Sequence, residues 1–298
     1  LREVERLAKL RFPLVVELLA VFQGRHEFPT LPKPILADAL FLVMPYYAEG
    51  TLRDWAETQK KITSDISASS ISAAAVQEIR RVFRLLVTAL AFVHQKGVVH
   101  RDLKFENVLK NGERIALCDF GIARDMESMS DFLLHTTLHD IAHTPAYAAP
   151  EQRGDGTSSG GVSWKKNPFA VDAWALGVML LEVLSGKLPV YDSHRKQLQL
   201  SPPGWLSTTA NDGGRAVSLA RQLWQVGLRL TAMDAVKRPT MSELQFSPIF
   251  LADQPSAGAA SLGGASSVSR MLGDSLGMRF EALRLLLQQQ RQGFVSET

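Results

Sequence analysis

Cysteine is nearly absent from this sequence, which has one, Cys118, in 298 residues. A single cysteine cannot form an internal disulfide, so the chain is not a disulfide-stabilised scaffold, and a reducing compartment fits it. The sequence also lacks any run of about eighteen apolar residues, and its start lacks the layout of a signal peptide. These absences predict a protein of the cytoplasm or another intracellular compartment that has no membrane partner.

Excess charge is also missing, because 33 Lys and Arg residues against 30 Asp and Glu residues give a formal net charge of only +3. The basic residues are spread along the chain, so the charge pattern predicts no nucleic-acid partner. Apolar residues, by contrast, make up 46% of the sequence, enough for one large or two small domains with a buried core. Disorder of the whole chain is therefore excluded.

The stretch most informative about chemistry is residues 100–107, which reads HRDLKFEN and is followed by DFG at 119–121. The two motifs supply what phosphoryl transfer needs: a carboxylate that accepts a hydroxyl proton, an amide and a second carboxylate for Mg²⁺, and a cation near the phosphates. These places are filled, in that order, by Asp102, Asn107, Asp119 and Lys104. Singly, each residue has a structural interpretation as a turn residue, a loop cap or an exposed acid; jointly, the chemical interpretation is favoured.

A tight hairpin is predicted between the two motifs. Residues 107–110 and 114–118 flank Asn111-Gly112, a dipeptide that readily takes the positive φ angles of a two-residue turn. Two short antiparallel strands would bring Asn107 and Asp119 next to each other. The sequence therefore predicts a magnesium site without a long loop.

Three more motifs follow in order: TPAYAAPE at 144–151, DAWALG at 172–177 and KRPT at 237–240. Together with HRDLKFEN and DFG they resemble the eukaryotic protein kinase family, and five motifs in the family's order are far more specific than any one of them. The resemblance implies an α+β, protein-kinase-like fold with a mainly helical C-lobe and an incomplete antiparallel N-lobe sheet.

The resemblance places a protein kinase domain at 1–250, with a partial N-lobe at 1–47 and the C-lobe at 48–250. The Ser, Ala and Gly composition after it predicts a flexible linker at 251–277. Residues 278–298 are predicted to form a terminal helix. Three roles are open for its amphipathic part, 278–292: packing on its own domain, which is the commonest outcome, binding of a partner, or no role.

The start of the chain is where the sequence departs from the family pattern. Residues 1–10 have helical periodicity and correspond to the C helix of the N-lobe, in which Glu3 matches the glutamate that pairs with the phosphate-gripping lysine. Glu5 is the alternative, and an ordinary first-turn glutamate is nearly as good an interpretation of Glu3. The sequence begins at Leu1, in the predicted C helix, and contains no glycine-rich loop and no VAIK lysine. The sequence is therefore expected to be a fragment with a truncated N-lobe, and a kinase relic is the alternative.

Apolar segments at 15–21 and 41–44, separated by a proline-rich loop at 28–34, are predicted to be N-lobe strands. By resemblance, the segment that follows them holds adenine through the carbonyl of Pro45 and the N–H of Tyr47, since proline has no N–H to donate. An ordinary strand end with a turn is the alternative. The nucleotide-binding residues predicted in this way are Met44, Pro45, Tyr47, Leu109 and Lys104.

Helices are predicted from Thr51, from Val76 to Gly97, at 171–184 with a stop at Gly186, and at 216–230 and 241–246. Two insertions, both rich in small or polar residues, are predicted at 60–75 and 153–167.

The resemblance also assigns regulatory residues. In the family, the residue at the position of Arg101 pairs with a phosphate on the activation segment, and the arginine at the position of Arg238 pairs with the glutamate at that of Glu151. Thr144, like Lys104, resembles serine/threonine kinases rather than tyrosine kinases.

The expected function is thus an ATP-dependent serine/threonine protein kinase that transfers the γ-phosphate of Mg·ATP to protein hydroxyls. Its expected cofactors are ATP and Mg²⁺, and its partners are protein substrates with Ser or Thr. The alternative is a pseudokinase scaffold that lacks the glycine-rich loop and the lysine. A kinase-like fold that acts on a small molecule is disfavoured by the APE-type segment.

Overall fold

A computed structural model describes residues 2–28, 35–63, 71–125, 144–153, 167–207 and 214–251. The chain forms two compact units, of which the larger comprises 1–17 and 45–252 and the smaller includes 18–44. Helices and small antiparallel sheets occur together, which confirms the α+β class. Among the described helices, none combines the length and apolar composition needed to cross a bilayer. The predicted lobe boundaries stay predictions, and residues 252–298 with the predicted terminal helix lie outside the described part.

The helices are α1 Arg2–Lys9, α2 Leu52–Thr63, α3 Ala73–Gln95, α4 Ala170–Ser185, α5 Gly214–Leu230, α6 Met241–Gln245 and α7 Pro248–Leu251. The strands are β1 Ala20–Phe28, β2 Ile35–Val43, β3 Val98–Val99, β4 Val108–Asn111, β5 Arg114–Leu117, β6 Arg124–Asp125, β7 Val190–Asp192 and β8 Gln197–Gln199. Short 3₁₀ turns lie at Phe105–Asn107, Pro145–Tyr147, Pro150–Gln152, Gly204–Ser207 and Ala235–Lys237.

The smaller unit contains the antiparallel hairpin of β1 and β2, whose directly opposed residues Phe22 and Phe41 stack with ring centroids 4.9 Å apart. The prediction placed the first strand too early, at 15–21. Only Val15 of its first five residues makes a strand-type bridge, and β1 runs from Ala20 to Phe28. The error arose because residues 15–19 are mostly apolar, whereas Gln23 and residues 25–27 make the second half of β1 mostly polar, so the apolar segment begins and ends earlier than the strand.

The core of the larger unit is built on α3 and α4. Helix α3 extends over most of the range predicted for a long helix, and α4 is buried at nearly every position, as its apolar sequence predicted. Helices α4 and α5 pack at Gly177 and Gly227. A Cβ atom on Gly177 would lie 2.6 Å from the Cβ of Leu230, so these helices approach more closely than a larger residue would allow.

The predicted insertion at 60–75 is partly wrong, because α2 continues to Thr63 and α3 begins at Ala73. Residues 64–70 lie outside the described part of the chain, as do 154–166 of the second predicted insertion.

The hairpin between the two catalytic motifs exists, but its turn is shifted by one residue. Asn111 pairs with Arg114, so the turn consists of Gly112 and Glu113 rather than of Asn111 and Gly112. Gly112 has a φ of 59°, and its N–H donates to the carboxylate of Glu49, which also contacts Lys110. A partner far away in sequence therefore helps to fix the turn.

Candidate catalytic site

The loop that carries the HRD motif is anchored to the start of α4 by one buried carboxylate. Asp172 is fully buried, and its oxygens accept the backbone N–H groups of His100 at 2.9 Å and Arg101 at 2.8 Å. His94 of α3 contributes a third contact at 2.9 Å. Burial opposes ionisation of Asp172, but these hydrogen bonds outweigh it and keep its pKa below the usual value. The bonds also hold Arg101 at a φ of 73°, an unfavourable angle for a residue with a Cβ.

Asp102 lies next in the chain, and both of its carboxylate oxygens accept hydrogen bonds. Oδ1 accepts the backbone N–H and the hydroxyl of Thr144 at 3.1 and 2.9 Å, whereas Oδ2 accepts from Lys104 at 2.6 Å and Asn107 at 3.0 Å. Burial raises the pKa of Asp102, but the bonds from Lys104 and Thr144 outweigh burial and lower the pKa below its usual value. Asp102 is therefore ionised at neutral pH.

Three other predicted site residues are thus gathered around Asp102. Lys104 Nζ bridges Asp102 and the hydroxyl of Thr144, to which it donates at 2.7 Å. Asn107 also donates to the carbonyl of Asp102, at 2.8 Å, which leaves its amide oxygen as the group able to face a cation. A carboxylate, an ammonium group and two hydrogen-bonding side chains therefore form one cluster.

Asp119 is positioned by the end of the β4–β5 hairpin. The N–H of Cys118 donates to the carbonyl of Asn107 at 3.0 Å, so the strand pairing continues to the residue before Asp119. Asp119 has a φ of 61°, and its Oδ1 accepts from the N–H of Gly121 at 3.3 Å. Its carboxylate group is exposed, as a ligand for a cation must be.

Glu3 of α1 lies near Asp119. A Cβ atom on Gly121 would lie 3.2 Å from an oxygen of Asp119 and 3.9 Å from one of Glu3. Burial, followed by repulsion from Asp119, raises the pKa of Glu3. Two acidic side chains near one another create a negative potential that favours a cation.

Arg101 is surrounded by positive charge. Burial, together with repulsion from Arg124 and Arg6, lowers its pKa to about 10, while Asp172 opposes the shift. Arg6 is itself buried and donates to the carbonyl of Phe120 at 3.1 Å. The predicted pairing of Arg101 with a phosphate on the activation segment stays a prediction, because residues 126–143 lie outside the described part of the chain.

Glu151 and Arg238 form a two-pronged ion pair. Nη1 and Nη2 of Arg238 donate to the two carboxylate oxygens of Glu151 at 2.5 and 3.0 Å. The guanidinium also donates to the carbonyls of Ala232 and Ala170 at 2.8 and 2.9 Å, and it lies 5.0 Å from the ring centroid of Trp174. The pair ties the APE-type segment to the start of α4.

The residues predicted to bind the nucleotide belong to both compact units. Met44 is the last residue of the smaller unit's segment and is 40% exposed. Pro45, Tyr47 and Leu109 belong to the larger unit, in which Leu109 of β4 forms a bridge with Thr51. Their nucleotide contacts stay predictions.

Sequence reasoning missed a second polar cluster, beside the catalytic loop. Arg53 of α2 contacts Glu106, Glu182 and Tyr147, three residues from distant parts of the sequence. The DAWALG motif drew attention to Asp172 but did not reveal that its carboxylate holds the catalytic loop. No spacing rule could have found this cluster, since Glu106, Tyr147 and Glu182 lie 53 to 129 residues from Arg53; only its weaker contact with Glu57, at 3.4 Å, has helical spacing.

Cys118, the residue before Asp119, should react slowly with electrophiles. Burial, followed by the negative charges of Asp119 and Glu3, raises the pKa of its thiol to about 12. The thiolate is the reactive form, so alkylation by iodoacetamide at about pH 8 should be at least about tenfold slower than that of an unstructured cysteine peptide. Intact mass against time measures the rate, which should rise with pH and recover when the chain is unfolded in urea. Alkylation of the folded chain at the peptide's rate would contradict the expectation.

Comparison with known proteins shows the family of the chain. A family model described as the protein kinase domain matches residues 1–250. The chain belongs to the protein kinase family. This finding confirms the recognition made from the motifs and the kinase-like α+β fold.

This kinase domain is similar to several plant kinases. It is 33% identical over 220 residues to CBL-interacting protein kinase 4 of Oryza sativa subsp. japonica, which covers 70% of this chain and 41% of that protein. It is 28% identical over 265 residues to CBL-interacting serine/threonine-protein kinase 16 of Arabidopsis thaliana, with 84% of this chain and 46% of that protein covered.

An animal relative is NUAK family SNF1-like kinase 1 of Mus musculus, which is 28% identical over 198 residues, with 66% of this chain and 24% of that protein covered. The kinase domain thus spans less than half the length of these relatives. The name of the Arabidopsis relative supports the serine/threonine type predicted from Lys104 and Thr144.

Proposed function

We propose that this protein is a serine/threonine protein kinase that transfers the γ-phosphate of Mg·ATP to hydroxyl groups of protein substrates. The observation that carries the proposal is the environment of Asp102. Its carboxylate is ionised and held by four hydrogen bonds, from Lys104, Asn107 and the backbone and hydroxyl of Thr144. A carboxylate in this state can orient a substrate hydroxyl and accept its proton.

The other residues of the cluster have complementary roles in the proposal. Lys104 carries a positive charge beside Asp102 and would stabilise the negative charge of the transferring phosphoryl group. Thr144, which contacts both Asp102 and Lys104, helps to fix the position of each relative to the other. Phosphoryl transfer needs mainly positioning and charge stabilisation, and this cluster supplies both.

The residues present fit Mg²⁺. Asn107 offers an amide oxygen, Asp119 offers an exposed carboxylate, and the raised pKa of Glu3 reflects, after burial, the uncompensated negative charge of Asp119. Magnesium binds through one or two protein oxygens together with water and nucleotide phosphates, and it neutralises charge on those phosphates. Within the described residues, no group of three or more His, Cys, Asp or Glu side chains could hold a metal alone. Asn107 and Asp119 are the proposed ligands.

A phosphorylation assay on the full-length protein tests the proposal. Incubation with labelled Mg·ATP and an array of Ser-, Thr- and Tyr-containing peptides should label the Ser or Thr peptides. Chelation of Mg²⁺ should abolish the labelling, and an excess of Mg²⁺ should restore it. Binding of Mg·ATP in calorimetry without transfer to any peptide or protein would contradict the proposal and favour the pseudokinase alternative.

A further inference from the structure

A single guanidinium lies where four segments of the kinase domain meet. Arg53, in the first turn of α2, donates through Nε to Glu106 at 2.8 Å and through Nη1 to Glu182 of α4 at 2.9 Å. Nη2 donates to the hydroxyl of Tyr147 and, at 3.4 Å, to the second oxygen of Glu106. The guanidinium carbon also lies 4.9 Å from the ring centroid of Phe105. All three nitrogens of the Arg53 guanidinium therefore donate hydrogen bonds, and its planar face lies near an aromatic ring.

Of the two carboxylates that Arg53 joins, Glu106 is partly exposed and Glu182 is buried. The side chain of Glu182 is only 2% exposed, and a buried carboxylate is costly unless its oxygens are paired. Its Oε1 accepts from Arg53 and from Lys60 at 3.2 Å, and its Oε2 accepts the hydroxyl of Tyr147 at 2.6 Å. The cluster is therefore fixed to the core through Glu182.

Two of the partners lead directly to Asp102. Glu106 precedes Asn107, which donates to Oδ2 of Asp102. Tyr147 ends the 3₁₀ turn that follows Thr144, and Thr144 donates to Oδ1 of the same carboxylate. Arg53 thus contacts the residue before Asn107 and the residue three positions after Thr144. Asn107 and Thr144 in turn each donate to one oxygen of Asp102.

We propose that Arg53 is a positioning residue for phosphate transfer, which sets the orientation of Asp102 by holding residues 102–107 and 144–147 to α4. The inference rests on the proposed function in that its kinetic effect requires transfer. Arg53 reaches the reacting atoms only through Glu106 and Tyr147. Its removal should therefore slow the transfer step without weakening nucleotide binding.

The main test compares Arg53→Met and Arg53→Lys in the full-length protein. Methionine retains the aliphatic volume but no donor, and a misplacement of about 1 Å at a catalytic group can cost about 100-fold in rate. We expect kcat to fall by about 10- to 100-fold for Arg53→Met, with KM for ATP changed by less than about twofold. Lysine has the charge, but its single ammonium group cannot donate to Glu106, Glu182 and Tyr147 in the planar geometry of a guanidinium. Arg53→Lys should therefore recover only part of kcat.

Arg81→Met is the matched control. The side chain of Arg81 is 24% exposed against 23% for Arg53, and it also forms ion pairs, with Glu78 at 2.7 Å and with the exposed Glu113 at 2.9 Å. It lies on α3, outside the cluster, so its replacement should leave kcat within about twofold while costing only surface ion pairs. Thermal midpoints of all variants separate a loss of stability from a loss of rate. A kcat of Arg53→Met equal to that of Arg81→Met would overturn the inference.

A double-mutant cycle tests the route through Glu106. If Arg53 acts through that carboxylate, the effects of Arg53→Lys and Glu106→Gln on kcat should be far from additive, because one variant already removes what the other disturbs. Fully additive effects would overturn the route. Arg53→Lys keeps this test valid if Arg53→Met does not fold.

Amide hydrogen exchange separates this inference from the proposed function. Residues 101–107 and 144–147 should exchange faster in Arg53→Met or Arg53→Lys than in Arg81→Met, whether or not the protein transfers phosphate. Absence of transfer by the wild-type protein would defeat the proposed function, and the exchange result would still decide the role of Arg53. Unchanged exchange in both segments would overturn the positioning role.

Discussion

Replacement of Asp102 by asparagine should lower the rate of phosphate transfer by about 10²- to 10⁴-fold, the range by which a positioned general base contributes to catalysis. Asparagine has nearly the same shape, but its amide cannot accept a proton from a substrate hydroxyl. It also has one acceptor oxygen where Asp102 uses two, so either the Thr144 side or the Lys104 and Asn107 side loses its acceptor.

The measurement is single-turnover phosphate transfer by the full-length protein to a peptide selected from the array. Mg·ATP affinity, measured by calorimetry on the same variant, should change little, because Asp102 is not a proposed magnesium ligand. Asp38→Asn is the control, since Asp38 is an exposed residue of the smaller unit that pairs only loosely with Arg25, at 3.6 Å. An Asp102→Asn variant that transfers phosphate within about tenfold of the wild-type rate would remove Asp102 from its proposed role.

Replacement of Arg238 by methionine should cost about 3–5 kcal/mol of the free energy of unfolding, the loss expected when one partner of a buried ion pair is removed. The side chain of Arg238 is completely buried, and that of Glu151 is only 14% exposed, so Glu151 would be left almost without solvent and without its cation. The carbonyls of Ala232 and Ala170 would also lose a donor. Folded domains are stable by only about 5–15 kcal/mol, so this is a large share.

Urea unfolding, followed by circular dichroism, measures the change. The double variant Arg238→Met with Glu151→Met should recover part of the loss, since it leaves no uncompensated carboxylate. Arg195→Met is the control: the ion pair of Arg195 with Asp192 is 3.8 Å long and mostly exposed on the arginine side, so its loss should cost less than about 1 kcal/mol. If Arg238→Met lowered the free energy of unfolding by no more than that control does, the buried ion pair would contribute no more to stability than an exposed one.

The parts of the site that could be predicted from the sequence are those set by short stretches of chain. The HRDLKFEN motif places Asp102, Lys104 and Asn107 within six residues, so their proximity follows from chain geometry alone. The position of Asp119 followed from the hairpin even though the turn was misplaced, because a one-residue shift in the turn leaves the ends of the hairpin adjacent. The helices α3 and α4 were predictable because their apolar residues are dense and periodic.

The features that escaped prediction depend on partners far away in sequence. Glu49 binds the N–H of Gly112 and so takes part in setting the turn, and nothing near Gly112 signals this. The bounds of β1 were missed because apolar residues precede the strand and polar residues fill much of its second half. Arg53 reads as an ordinary exposed helix residue until Glu182, 129 positions later, is found against it. Long-range pairing of buried charges cannot be deduced from one sequence.

The complete burial of Asp172 bears on how the catalytic loop loses its structure. The N–H groups of His100 and Arg101 are both held by that carboxylate, inside the larger unit and at the first turn of α4. Opening the loop would strand a charged group away from water, which is costly, so the loop cannot fray by itself as most surface connections do. We therefore expect the loop and α4 to unfold as one cooperative unit, so that the catalytic segment is held as firmly as the core before a nucleotide binds.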